Sequence, residues 1–389
     1  MPTPTVPRLR SWARTVAVLA AVSLVAGLSA ATAGASTSGA GSTVGSAAPF
    51  LSNFSKISKV ASTVPALGSG VPGNGDVNPY GVAVVPRSVG SLVAGDVLVS
   101  NFNNGANLQG TGRTIMRISP SGTKSVFANL AGQVPGPIGL TTALYVFGNG
   151  DVVVGSLPTT NGSASTATAG ALYVIDSSGT VIETIKGGDI NGPWDMTGFD
   201  GGSLGVLFVT NVLNSTVAAK GGVVAKETVV RIVLDFKVSP PRVEQELVLG
   251  RGFDAAPNAA ALVLGPTGVA LSRNGTLYVA DTMLNRIAAY PDALIAARSE
   301  GTGRTISVAG FLDEPLGLAI APGGDILTVN GANGYIVETT PAGVQTDWGL
   351  LNKSGAPRGG GALFGLAMAP HGAGVYFVDD DFNQLRLFH

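Results

Sequence analysis

The chain has 389 residues, a net charge of −1, only 12% charged residues, 56 glycines and no cysteine. Balanced charge without a Lys/Arg cluster excludes a nucleic-acid partner of the usual electrostatic kind, and the lack of cysteine excludes a disulfide framework. Low charge with abundant glycine suits an all-β domain with many tight turns, held by burial alone.

Residues 1–35 read as an export signal. Arg8, Arg10 and Arg14 form a positive region, 15–28 an apolar run, and both Ala31-Thr32-Ala33 and Ala33-Gly34-Ala35 fit a small-residue cleavage site. The run is shorter than the roughly 20 residues a spanning helix needs. No adjacent arginine pair and no cysteine supports a twin-arginine signal or a lipoprotein anchor. Residues 36–54, rich in Ser, Gly and Ala at first, are expected to be a disordered lead. The mature protein is expected to be secreted, free of the membrane and monomeric.

From residue 55 to His389 one unit recurs. Its clearest copy is 265–291, GPTGVALSRNGTLYVADTMLNRIAAYP: a Gly-Pro break, a short strand, an Arg-Asn-Gly turn, and two further strands. The opening returns at Asn78-Pro79-Tyr80-Gly81, Gly136-Pro137-Ile138-Gly139, Gly192-Pro193-Trp194-Asp195, Glu314-Pro315-Leu316-Gly317 and Ala362-Leu363-Phe364-Gly365. Spacings of about 48 to 73 residues fall in or above the range of propeller blades. Fourth-strand candidates follow at 124–128, 181–185, 243–249, 305–309 and 344–348. The last repeat lacks one, and 57–61 has the right look to supply it and close the ring. The expected fold is a six-bladed β-propeller of four-stranded antiparallel blades, with an N-terminal strand completing the last blade.

These residues resemble NHL repeats, whose signature is similar to PxGVA…GxLYVADTxNxRI. They are more distantly similar to the senescence-marker/gluconolactonase family. That second resemblance implies a divalent metal at the channel mouth, held by Glu, Asn and Asp. Asp281, in its YVAD setting, is similar to the family's Asp. The family's Asn in the opening has no counterpart: Tyr80, Ile138, Trp194, Thr267, Leu316 and Phe364 stand there. Glu314, at the start of an opening, is the one glutamate near the rim.

Propeller topology collects the long second-to-third-strand loops, 102–112, 157–170 and 212–226, on one face, against about four residues in the last three repeats. On that face the residue six after each second-strand glycine is Asn101, Ser156, Asn211, Asp281, Asn330 or Asp380. Two readings stand: turn chemistry, or a polar ring for a ligand, with Ca²⁺ or Mg²⁺ at Asp281 and Asp380 as the one ion it could hold. Trp194-Asp195 replaces the usual glycine and, with Tyr80 and Phe364, forms either an aromatic ligand collar or packing between blades. The only histidines, His371 and His389, have no nucleophile in register, which disfavours the histidine-dependent quinoprotein dehydrogenases and streptogramin lyases. Residues 107–113 are glycine-rich, but no helix follows to make a phosphate loop. The expected function is a scaffold that binds an unidentified protein or small polar ligand at the long-loop channel mouth, without a cofactor. The alternative is a divalent-metal lactone or ester hydrolase.

Overall fold

The computed structural model describes residues 48–66 and 75–389; the expected signal at 1–35 and residues 36–47 lie outside them. Short apolar runs broken by positive-φ glycines produce strands too short to bury both faces alone, so they stack as blades around an axis.

Blade 1 runs Val77–Val84, Val97–Asn103, Thr114–Ile118 and Lys124–Asn129, and blade 2 Leu140–Val146, Val152–Ser156, Ala171–Ile175 and Val181–Ile185. Blade 3 runs Pro193–Asp200, Leu204–Asn211, Val224–Asp235 and Arg242–Asn258, with an added Leu262–Leu264 folded back on the last strand. Blade 4 is Pro266–Leu271, Leu277–Asp281, Arg286–Tyr290 and Arg304–Val308, and blade 5 Pro315–Ile320, Ile326–Asn330, Tyr335–Thr339 and Gln345–Leu350. Blade 6 contributes Leu363–Met368, Val375–Asp379 and Gln384–Phe388, and its outer strand is Ile57–Ser62. That strand pairs antiparallel with the chain's end, Ile57 opposite Phe388 and Ser62 opposite Gln384. The ring is therefore closed by joining the two ends of the domain, as the missing fourth strand required.

The core is divided into interfaces between blades rather than gathered in one mass. Leu98, Ile115, Leu144 and Val154 pack blade 1 on blade 2, and Leu327, Val329, Leu366 and Phe377 pack blade 5 on blade 6. Val82, Val99 and Met116 meet Ala61, Tyr376, Val378 and Leu385 across the closure. Near the axis the blades approach so closely that a Cβ on Gly317 would strike the Phe364 carbonyl, and one on Gly365 the Tyr80 carbonyl. Glycine there is a packing requirement.

The described chain differs from expectation at two edges. Residues 50–54 lie in the stretch expected to be disordered, yet Leu51 is buried, and Phe50 and Leu51 donate their N–H groups to the buried Glu338 carboxylate at 2.7 and 2.8 Å. A charge-assisted pair of this kind anchors the segment on blade 5. The third long loop is also shorter than 212–226, because Val224-Ala225 already pairs with Asp254-Ala255 in an extended hairpin.

Candidate functional site

The extended blade 3 hairpin decides where a site can be. Beyond Asn258 the chain turns and returns as Leu262–Leu264, placing Ala261, Leu262, Val263 and Leu264, all buried, over the long-loop end of the axis. Beneath them lies the expected aromatic collar. Tyr80 stacks between Phe102 and Phe364, with centroids 4.4 and 3.9 Å away, and Trp194 lies 6.3 Å from Tyr80. Tyr80 Oη donates to the Ala260 carbonyl at 3.1 Å, and Trp194 Nε1 to the Val263 carbonyl at 3.0 Å. Both polar tips are spent on the chain's own cap, and Tyr80, Trp194 and Phe364 are each at most 1% exposed. The collar exists, but as packing between blades and cap; it presents no ring to a ligand.

The polar ring makes many contacts within the fold, though the buried Asn101 Oδ1 and Asp281 Oδ1 have no hydrogen-bond partner. Asn101 Nδ2 donates to the Thr63 carbonyl and to Thr114 Oγ1, Ser156 Oγ accepts from Gly139 N, and Asn211 Oδ1 from Asn191 N. Asn330 accepts from Asp313 N and donates to the Phe311 carbonyl. Asn101, Asn211 and Asn330, like Ser156, therefore tie the end of a second strand to neighbouring backbone or side chains. Asp281 is fully buried and pairs with Arg286 Nε at 2.7 Å. Burial raises its pKa, and Arg286 opposes that shift.

Blade 6 shifts the expected ring by one residue. Asp281 lies opposite Pro266 and Asn330 opposite Pro315, but the residue opposite Leu363 is Asp379, not Asp380. Gly374 directly precedes the strand at Val375, whereas one residue separates Gly275 from Leu277 and Gly324 from Ile326, so counting from Gly374 overshoots. Asp379 pairs with Arg386 at 2.8 Å, just as Asp281 pairs with Arg286. Asp380 stands beside the collar, where its charge acts on Tyr80, and burial lifts its pKa to about 7. The divalent-metal centre implied by the gluconolactonase resemblance does not fit these residues. Asp281 and Asp379 each give one carboxylate oxygen to an arginine, Asp380 stands apart from them, and among the described residues no group of three or more His, Cys, Asp or Glu side chains could hold an ion.

Blade 2 also departs from the expected register. Leu140 takes the place of Pro193, pairing with Ser156, and a wider bulge precedes the next pair, Leu144 with Val154. Thr142, not Gly139, thus faces the channel as Asp195 does in blade 3, and Thr141, whose carbonyl accepts from Ser100 Oγ as the Thr267 carbonyl accepts from Thr210 Oγ1, takes the opening position expected for Ile138.

Below the aromatic layer the axis is open. A channel of about 380 Å³ is lined by the first strands of all six blades, among them Val82, Leu144, Met196, Val269, Leu318 and Leu366. Because Tyr80, Trp194, Phe364 and the cap close the long-loop end, the channel opens on the opposite face, among the tight turns. Asp195 lies in its wall at the level just below the aromatic layer, where blades 1, 4, 5 and 6 have glycine. Its Oδ1 accepts from Met196 N at 2.8 Å and its Oδ2 from Val269 N at 3.2 Å. Two neutral donors do not offset the loss of water, and burial pushes the carboxyl up to about 7. Thr142 also lines the channel, and its buried Oγ1 has no hydrogen-bond partner. A channel walled by aliphatic side chains and strand backbone, with an ionisable carboxyl and an unpartnered hydroxyl in its wall, is suited to a small amphipathic molecule.

The sequence singled out Asp195 at the long-loop end of the axis but took that end to be open, and it missed Thr142 and the cap. Two signals pointed to the cap: the apolar run 259–264 in a supposed loop, and the longest spacing between openings, which spans blade 3.

No family model matches the chain, and no curated protein matches it. Solved structures do share the fold. One described as a putative gluconolactonase is 14% identical, with a TM-score of 0.52, covering 86% of this chain and 91% of its own. The calcium-binding protein regucalcin from Agrobacterium tumefaciens is 15% identical with a TM-score of 0.51, covering 80% and 90%. The PQQ-bound aldose sugar dehydrogenase of Streptomyces coelicolor is 15% identical with a TM-score of 0.50, covering 86% and 97%. At such identities the likeness concerns the six-bladed architecture.

Proposed function

We propose that this protein is an exported, monomeric binding propeller whose site is the blind central channel entered from the turn face. The observation that carries this reading is the combination at the closed end: Asp195, raised to about 7, and the unpartnered Thr142 hydroxyl in a channel walled largely by aliphatic side chains. A carboxyl held in a place where glycine would pack is a cost that a purely structural channel has no reason to carry. The ligand class is a small amphipathic organic molecule with a hydrogen-bonding group for Asp195. Calorimetric titration with eight-carbon amphiphiles, n-octanol and n-octanoate, tests it. Leu318→Phe, which fills the channel, is expected to remove binding while leaving the fold intact; unchanged binding in that variant contradicts the proposal.

A second reading, hydrolysis of a lactone or ester, is favoured by one observation. A carboxyl near neutrality is poised to act as a general base on water, and the fold is shared with a putative gluconolactonase. On this reading the reaction proceeds at Asp195 without the metal centre, which the ring residues do not provide. Turnover of an aliphatic lactone that disappears in Asp195→Asn and is indifferent to chelator would support it. Binding without turnover leaves the first reading.

A further inference from the structure

Beside the channel mouth lies a groove of about 680 Å³, formed mainly by the turns between the first and second strands of blades 4, 5 and 6. Leu271, Ile320 and Met368 line both spaces, so groove and channel are continuous. The groove's lining includes Arg273 and His371 and no carboxylate. Both are exposed, and neither enters any ion pair among the described residues. His371 is held at φ 59, a conformation that glycine adopts more readily, at the edge of this space. The channel thus has aliphatic side chains along its wall and, at its mouth, an exposed guanidinium, Arg273, that enters no ion pair among the described residues.

We infer that the channel's ligand is an amphipathic organic anion, a carboxylate or phosphate monoester whose head binds Arg273 and His371 in the groove and whose apolar tail enters the channel. The inference rests on the channel reading above and adds the charge of the ligand. A guanidinium matches either anion through paired N–H donors, and the imidazole adds another. Pro322, Pro341 and Ala321 line the same groove, and the Asn274 side-chain oxygen there already accepts from Ser272 Oγ and Thr276 N.

The test is a set of calorimetric titrations on the mature protein with n-octanoate, n-octyl phosphate, n-octanol and n-octylamine. The anions are expected to bind about tenfold more tightly than the alcohol, with the advantage shrinking as salt is added. Arg273→Gln with His371→Gln, both at exposed positions, is expected to bring octanoate down to the affinity of octanol and to leave octanol unchanged. The ranking of octanoate against octyl phosphate identifies the head. If octanol binds as tightly as the anions, or the double substitution leaves their ratio unchanged, the inference is wrong while the channel reading stands. If none of the four binds, both fall.

Discussion

Asp195 is where a functional carboxyl and the stability of the fold meet, and Asp195→Asn and Asp195→Gly separate the two. The carboxyl rises from 3.8 to about 7 on folding because burial removes its water, and two backbone N–H groups do not compensate. The folded protein therefore holds a proton that the unfolded chain has released across that interval. The stabilisation linked to this proton is fully present below pH 3.8 and is lost progressively as pH rises to about 7. At 1.36 kcal/mol per pH unit, the difference of roughly three units corresponds to about 4 kcal/mol. Asp76, Glu227 and Asp380 are also raised by burial and titrate in the same window, so the wild-type profile alone does not isolate Asp195. The difference between wild type and variant does. Urea unfolding from pH 4 to 8 should show either variant gaining on the wild type by up to about 4 kcal/mol, most of it between pH 4 and 7. The Gly variant supplies the residue four other blades carry at this level, and the Asn variant keeps the shape. Parallel stability profiles for wild type and both variants would refute the argument that Asp195 is held protonated by burial.

Three further outcomes follow from the packing. A chain beginning at Pro65 lacks the outer strand of blade 6 and the Phe50–Leu51 anchor; at roughly 25 cal/mol per Å² of apolar area the loss is several kcal/mol, seen as a large fall in Tm or aggregation. Asp281→Asn leaves Arg286 buried without its partner and should cost about 3–5 kcal/mol, with calcium and chelator leaving the Tm of wild type and variant alike unchanged. Leu262→Ala in the cap should cost about 2–5 kcal/mol by thermal unfolding, as for a core leucine, because the cap is part of the core it covers.

Much of the architecture was legible because each blade repeats the same physical problem. Glycine turns and alternating apolar runs mark strands wherever they occur, and the lack of a fourth strand after 384–388 leaves an edge that only an N-terminal strand could cover. The outer-strand candidates 181–185 and 57–61 coincide with, or fall one residue short of, the strands formed. Register was less legible where a repeat departs from the pattern: the wider bulge before Leu144 put Thr142 rather than Gly139 on the channel wall, and Gly374, directly against Val375, moved the ring position to Asp379. The site was least legible because it depends on tertiary closure. The apolar run 259–264 signals that these residues are covered but not that they fold over the axis, and that placement buries Tyr80, Trp194 and Phe364 and leaves the channel open on the other face.

The absence of cysteine from the whole chain permits a direct test of which face is used. Met368→Cys places a single thiol at the turn-face mouth, and Ser163→Cys places one on an exposed long loop. Each variant is coupled to a bulky maleimide and titrated with n-octanol and n-octanoate. Binding lost on labelling Met368→Cys and kept on labelling Ser163→Cys is the predicted result; binding kept in the first and lost in the second would contradict the account.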